Sequence, residues 1–263
     1  MNWQLFRGAV LPLVAWLVFA GDCLAKSRKE IFQETVEKIY PLQGNARFRL
    51  KNGDGSVWIY GANISEMKVR AVKKSYRKDR LAQIDVKIDV KPDSVTIDTD
   101  FPPKPKWGLT DRSGTVDYLV ILPWFCVLEK VELGTGELFI EGMRGDAVHA
   151  EVDNGRMFGR NCFTNLHFSL SSGSLDVGYD WWETHPIGLD ARIENGNTRV
   201  FLPAEAQFRL HAETGHGLVL TDFANNRPSG VTGKLDLAVG ASPDTGMNIQ
   251  TGSGSVLIKQ INR

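Results

Sequence analysis

The segment Val131-Glu-Leu-Gly-Thr-Gly136-Glu-Leu138 decides the fold, because similar segments recur along the chain. Each copy has an apolar residue five positions before a central glycine and another two positions after it. In one copy Thr198 stands where the others have that glycine. The copies span Leu50–Val57, Val131–Leu138, Ala150–Met157, Phe168–Leu175, Ile193–Val200, Ala212–Val219 and Ile249–Val256, with weaker copies at Gly114 and Gly233.

A repeat of roughly 20 residues is too short to bury its own apolar stripe. Stacked copies can bury it, because equivalent residues then lie above one another at the strand spacing of about 4.8 Å. The glycines allow a positive φ at each turn without a Cβ clash. The repeat therefore predicts an all-β chain, a single-stranded β-helix or β-solenoid built from short Gly-x-Gly turn units.

Residues 1–25 have the three-part layout of a secretory signal peptide, with cleavage expected after Ala25. Their apolar part, residues 8–20, is too short to cross a bilayer as a helix. Asp22 directly before Cys23 is a poor match to a lipoprotein signal. We therefore expect an exported chain, periplasmic or extracellular, with no transmembrane span after cleavage.

The mature chain divides into a short N-terminal segment and one large β domain. Residues 26–44 have apolar side chains interleaved with charged ones, which predicts a short amphipathic helix that ends near Pro41. Residues 45–263 form the repeat domain, whose first part alternates at 67–73, 82–90 and 95–99 and predicts cap strands.

The proline-rich residues 100–113 predict a surface loop. Lys plus Arg equals Asp plus Glu, 31 of each, and this balance gives no electrostatic reason to expect nucleic acid as a partner.

Cys126 and Cys162 remain after cleavage, and an oxidising compartment would permit one disulfide. Their places in the repeat put them two coil spacings apart, which favours two free buried thiols.

The sequence resembles the bacterial "putative adhesin" family, a domain of unknown function with a β-helical structure. The resemblance covers residues 32–258 and rests on Phe48–Gly61, Val69–Lys74, Tyr118–Pro123 and the serial Gly-x-Gly turns. It implies a fold and an envelope location, and it supplies no catalytic residues.

The densest aromatic cluster is Tyr179-Asp-Trp-Trp182, and Tyr179, Trp181 and Trp182 are our candidate binding residues. Exposed aromatic rings can stack on sugar rings or on a partner surface. The alternative is that they pack over the edge of the domain. We expect at most one of the two tryptophans to point into the core if the segment is a strand.

Other polar groups allow a functional and a structural interpretation. Glu183/His185 and His211/Glu213 lie two apart and could hold a metal or act as an acid–base pair, but neither pair has an evident third ligand. The basic residues 68–80 could meet an anionic polymer or form a solvated strand face. A row of acidic residues is expected to face outward: Asp85, Asp89, Asp98, Glu132, Glu141, Glu151, Asp176 and Glu194.

No nucleophile elbow, phosphate loop, Cys-x-x-Cys pair or calcium nonapeptide occurs in the mature chain, so we predict no catalytic residues, no metal and no cofactor. We expect a non-enzymatic envelope module that binds an unknown protein or polysaccharide. The alternative is a carbohydrate-active β-helix enzyme with an acidic groove. A third possibility is a structural or signalling module with an envelope protein as its partner.

Overall fold

The computed structural model describes residues 30–103, 114–184, 186–223, 229–241 and 244–261, and the all-β prediction is confirmed there. The predicted signal peptide with Cys23 and Ala25, most of the proline-rich loop, and His185 lie outside the described residues. The described helix is α1 (Lys78–Leu81). The strands are β1 (Phe32–Pro41), β2 (Arg47–Ala62), β3 (Glu66–Ser75), β4 (Asp85–Lys91), β5 (Ser94–Asp100), β6 (Thr115–Pro123), β7 (Val127–Glu141), β8 (Ala147–Arg160), β9 (Asn165–Gly178), β10 (Gly188–Pro203), β11 (Phe208–Thr221), β12 (Ser229–Val239), β13 (Thr245–Ser253) and β14 (Val256–Ile261).

Long parallel strands form the centre of the sheet, in the order β2-β7-β8-β9-β10. Their repeat glycines face one another in register, so that Gly55 pairs with Gly136, Gly136 with Gly155, and Gly155 with Gly173. These glycines have φ between 135° and 146° and lie inside continuous strands. Each predicted turn is therefore a bend within one strand. The two halves of a unit pair with the neighbouring strands and do not form a hairpin with each other.

Two apolar columns beside the glycine column form much of the core. The column five residues before the glycine contains Leu50, Val131, Ala150, Phe168, Ala191, Ile249 and Ala212, and all seven are buried. The column two residues after it contains Val57, Leu138, Met157, Leu175, Thr198, Val256 and Val219, also all buried. Burying these side chains supplies the hydrophobic stabilisation that no single unit could provide.

The predicted register of the Ile193–Val200 copy is wrong by two residues. Gly196, and not Thr198, pairs with Gly173. Because side chains alternate with a period of two, this shift leaves the same residues facing the core. It places Thr198 in an otherwise apolar column, where its Oγ1 is buried and has no hydrogen-bond partner among the described residues.

The repeat copies do not all stack in sequence order. Strands β13 and β14 lie between β10 and β11 and are parallel to both. Strand β12 runs antiparallel to β11, so Gly233 does not extend the parallel glycine column. Strand β6 pairs with β2 so that Tyr118 lies opposite Val57, and this register offsets Gly114 from the glycine column.

In the described part of residues 26–44 the predicted helix is wrong, because β1 is a strand that pairs antiparallel with β3. Of the three residues expected to form the helix face, Ile31 and Ile39 are 54% and 63% exposed, and Val36 is partly buried. The residues of β1 that face the core are Phe32, Val36 and Tyr40, because residues four apart share one face of a strand. Their side chains are partly buried against the core. The strands predicted at 67–73 and 95–99 are confirmed as β3 and β5, and the strand predicted over 82–90 is β4, which begins at Asp85.

Cys126 and Cys162 are both buried free thiols, as their spacing in the repeat predicts. Burial raises the pKa of each thiol to about 12. In the part of the chain that the structure describes, no helix is long and apolar enough to cross a membrane.

Candidate functional site

Four consecutive connections bring aromatic and charged side chains together at one corner of the stack. Because β7, β8 and β9 are in register, the segments that follow them lie next to one another. The segment that follows β6 joins them, since the Arg144 backbone N–H donates to the Trp124 carbonyl. They contribute the residues that we call the corner cluster: Trp124, Phe125, Arg144, Phe163, Trp181 and Glu183.

An ion pair fixes the centre of the corner cluster. The Arg144 guanidinium donates two hydrogen bonds to Glu183, at 2.8 and 2.6 Å. The Trp181 Nε1–H donates to the same carboxylate at 2.8 Å. The guanidinium lies 5.1 Å from the Phe163 ring centroid and 5.8 Å from that of Trp124. Bidentate pairing and stacking restrict the side chains, so this surface is preorganised.

The structure separates the three aromatic residues that the sequence singles out. Tyr179 is buried, its hydroxyl donates to the Cys162 carbonyl at 3.2 Å, and burial raises its pKa. Trp182 packs edge-on against Tyr179 and is half-buried against the core. Trp181 has 37% of its surface exposed and its ring lies 5.3 Å from that of Phe163. Of the three, Trp181 offers the ring that a partner can reach.

A second arrangement, not predicted from the sequence, is a polar groove on the outer face of β9, β10, β13, β11 and β12. One residue from each strand forms a continuous row across it, since the register pairs His167 with Asp190, Asp190 with Asn248, Asn248 with His211, and His211 with Asp236. The groove has a volume of about 730 Å³. No sequence signal shows this row, because β13 enters between strands that precede it in the chain.

Of the two histidine–carboxylate pairs noted in the sequence, the structure describes His211 and Glu213. His211 Nδ1 contacts Asp236 Oδ1 of the neighbouring strand at 2.6 Å, so its carboxylate partner is Asp236 instead of Glu213. The other pair involves His185, which lies outside the described residues. Among the described residues, no three His, Cys, Asp or Glu side chains are placed to hold one metal ion.

A row of aromatic side chains on the outer face of β2, β7 and β8 was not predicted from the sequence. Trp58, Phe139 and Phe158 lie in register three residues after the bend glycine. Adjacent ring centroids are 6.1 and 6.2 Å apart, and Trp58 is 42% exposed. Each of these aromatic residues directly follows a residue of the buried column and therefore faces outward. That position is visible in the sequence and could have predicted this row.

The basic segment and the predicted acidic row have ordinary surface roles. Lys68, Arg70 and Lys74 each form an ion pair with a nearby carboxylate, which supports the interpretation of a solvated strand face. Lys73 is buried, and its Nζ pairs with Glu34 and donates to the Ile84 carbonyl. None of the eight outward-facing acidic residues is buried, as the alternation predicts.

No family model and no curated protein matches the chain. Solved structures do match it. A "putative cell adhesion protein" of Clostridium sporogenes ATCC 15579 is 18% identical with a TM-score of 0.49, over 87% of this chain and 100% of its own. A "putative adhesin" of Bacteroides fragilis NCTC 9343 is 8% identical with a TM-score of 0.29, over 86% and 97%. A "putative lipid binding protein" of Parabacteroides distasonis ATCC 8503 is 13% identical with a TM-score of 0.37, over 86% and 96%. The first two are described in terms similar to the name of the family that the sequence resembles, but similarities this low assign no ligand or activity to this chain.

Proposed function

We propose that the chain is an exported, non-enzymatic β-solenoid of the cell envelope, a member of the "putative adhesin" family. Its role would be to present the corner cluster to a protein or polysaccharide. The parallel, in-register stack from β2 to β10 supports the solenoid interpretation. A stack of this kind holds side chains from separate units at fixed positions, which suits a binding surface.

The exposure and the hydrogen bonding of Trp181 are the observations that support the binding role most. Its ring is partly exposed, its Nε1–H is held by Glu183, and Glu183 is held by Arg144. A partner that stacks on this ring would lose little side-chain entropy, because the ring is already oriented. Aromatic and arginine side chains are the residues most enriched at the centres of binding surfaces. Phe125, 53% exposed, extends the apolar part of the same surface.

The enzymatic alternative needs two carboxyl groups within roughly 5 to 9.5 Å of each other across a glycosidic bond. In the polar groove, Asp190 and Asp236 are separated by three strand spacings, or about 14 Å. This pair is therefore too widely spaced for that chemistry. A screen of the purified protein on uronate-containing and neutral polysaccharides tests the alternative directly. Product formation that a single Asp or Glu substitution abolishes would favour an enzyme.

Photo-crosslinking tests the binding role. A benzophenone amino acid replaces Trp181 in cells that produce the chain, and in a control it replaces Leu218, which is 44% exposed on β11. We expect crosslinking at position 181 and much less at 218. A discrete band would indicate a protein partner and a diffuse one a polysaccharide. Equal crosslinking at both positions, or none at 181, would contradict the proposal.

A further inference from the structure

The aromatic row on the outer face of β2, β7 and β8 is the centre of a longer row that crosses eight neighbouring strands, from β1 to β10. The register adds Leu119 of β6, so that the apolar part of this row is Leu119, Trp58, Phe139 and Phe158. Beyond Leu119 lies the ion pair Arg70–Glu37 of β3 and β1, at 3.0 Å. Beyond Phe158 lies the ion pair Asp176–Arg199 of β9 and β10, at 2.5 Å. We call this the outer row, and none of its eight side chains is buried.

The charges at the two ends of the outer row are complementary to each other. Four of its strands lie on each side of the boundary between β2 and β7. If two copies pack face to face about a two-fold axis along this boundary, the strand order of the partner is reversed and its strand direction is kept. Arg70 then lies opposite the partner's Asp176. Glu37 likewise lies opposite the partner's Arg199, so opposite charges meet at both ends of the interface.

The rows on either side of the outer row fit the same axis. Two residues further along the strands, Ile39 of β1, which is 63% exposed, lies opposite the partner's Phe201 of β10. Two residues earlier, Asp117 of β6 lies opposite the partner's Arg156 of β8. The same symmetry therefore matches an apolar pair and a further pair of opposite charges.

The size and the packing of this face suit a dimer. Eight strands and three rows cover about 34 Å by 20 Å, or roughly 700 Å² per copy. Each partner in a standard specific interface buries about 800 Å². A two-fold axis along the strands also keeps the two sheets nearly aligned, which is a common arrangement of packed sheets. Trp58, 42% exposed, lies at the centre, where aromatic side chains contribute most to binding.

We propose that a second copy of this chain packs on the outer row and forms a two-fold symmetric dimer. Trp58 and the partner's Phe139 form its centre, and the two ion pairs form its ends. The self-complementary pattern favours a second copy over an unrelated partner, because a two-fold interface uses the same residues on both sides. The dimer does not rest on the proposed role of the corner cluster. It places both corner clusters at the same end, since the strands of the two copies run in the same direction, and one long partner could then bind both.

Chemical crosslinking of the mature chain tests this arrangement. The double variant Glu37→Cys/Arg199→Cys places its thiols seven strand spacings apart in one copy, or about 34 Å along the sheet. Between copies the same positions face each other across the spacing of packed sheets, about 10 Å, so a bismaleimide of that span joins them only in the dimer. Glu37→Cys/Arg192→Cys is the control, since Arg192 is also exposed on β10 but lies before the bend at Gly196. The native thiols Cys126 and Cys162 are buried.

Sedimentation velocity measures the dimer itself. We expect the parent to dimerise below about 100 µM, because interfaces of this size bind with micromolar or tighter affinity. Trp58→Lys should weaken dimerisation at least tenfold, because it removes the central ring and brings like charges together near the axis. Leu218→Lys, on β11 outside the eight strands, should stay within about twofold of the parent. Thermal unfolding confirms that both variants fold.

The crosslinking variant at 37 and 199 should form a covalent dimer, and the control at 37 and 192 much less of one. Equal crosslinking of the two, or undiminished dimerisation of Trp58→Lys, would overturn the proposal. A parent that stays monomeric at about 100 µM would overturn it as well. In that case, retention on an insoluble polysaccharide that Trp58→Lys abolishes would assign the outer row to a glycan.

Discussion

Gly155 lies directly against Gly136 of the preceding strand, and a Cβ at residue 155 would be 1.8 Å from the Gly136 carbonyl oxygen. The glycine is therefore required twice, by its φ of 143° and by the close approach of the neighbouring backbone. The same contact repeats along the glycine column, since Gly173 meets Gly155 and Gly196 meets Gly173 at similar distances. Each bend therefore needs glycine for its own backbone conformation and also to let the neighbouring strand pack against it.

Gly155→Ala should lower the free energy of unfolding by about 3 kcal/mol or more, because it combines backbone strain with a backbone clash. The matched variant is Gly246→Ala, whose Cβ meets open space among the described residues. It should stay within about 1 kcal/mol of the parent. Chemical denaturation of both variants measures the difference. Equal stabilities would show that the glycine column does not govern stacking.

Thr198→Val should stabilise the protein by about 1 kcal/mol, since it removes a buried hydroxyl that has no partner among the described residues. Thr214→Val is the comparison, because its Oγ1 donates to the Gly254 carbonyl at 2.7 Å. That variant should lose about 1 kcal/mol. The midpoints of urea unfolding give both values. A destabilising Thr198→Val would mean that the hydroxyl is satisfied in solution.

The native thiols of Cys126 and Cys162 should be unreactive at pH 8. Both are buried, and burial raises each pKa to about 12, so thiolate is scarce in the folded state. In the mature chain, which lacks residues 1–25 and so Cys23, a colourimetric disulfide reagent should detect no thiol in the native state and two after denaturation without reductant. Detection of none after denaturation would indicate a disulfide, contrary to the structure.

His149 should titrate below the ordinary histidine pKa of about 6.5. Burial is the larger cause of this lowered pKa, and the adjacent His167, with its ring centroid 4.5 Å away, is the next. As the pH falls below about 6.5, the unfolded chain therefore takes up this proton first and stability decreases. His167→Gln should move the His149 pKa upward, measured from its ring proton by NMR. A His149 pKa that does not change in that variant would contradict this coupling.

The sequence predicts the repeating part of this fold well, because each apolar column depends only on local alternation. Residues such as Val131 and Leu138 keep their predicted inward positions whatever the order of stacking. The sequence could not reveal that β13 lies between β10 and β11, since no local pattern encodes which strands become neighbours. The polar groove therefore could not be predicted from the sequence. The aromatic residues at 181 and 182 could be identified, because they are adjacent in the sequence. The helix prediction failed because β1 contributes only every fourth residue to the core.

Binding of the purified domain to isolated cell envelopes tests the central claim most directly. The assay compares the parent with Trp181→Ala and with Leu218→Ala, a control that removes an exposed apolar side chain on β11. Trp181→Ala should weaken binding at least tenfold, because truncating an aromatic side chain at the centre of a binding surface typically costs about 2 kcal/mol or more. Leu218→Ala should bind within about twofold of the parent. Equal binding by the parent and Trp181→Ala, with both folded, would contradict the claim that the corner cluster is the contact surface.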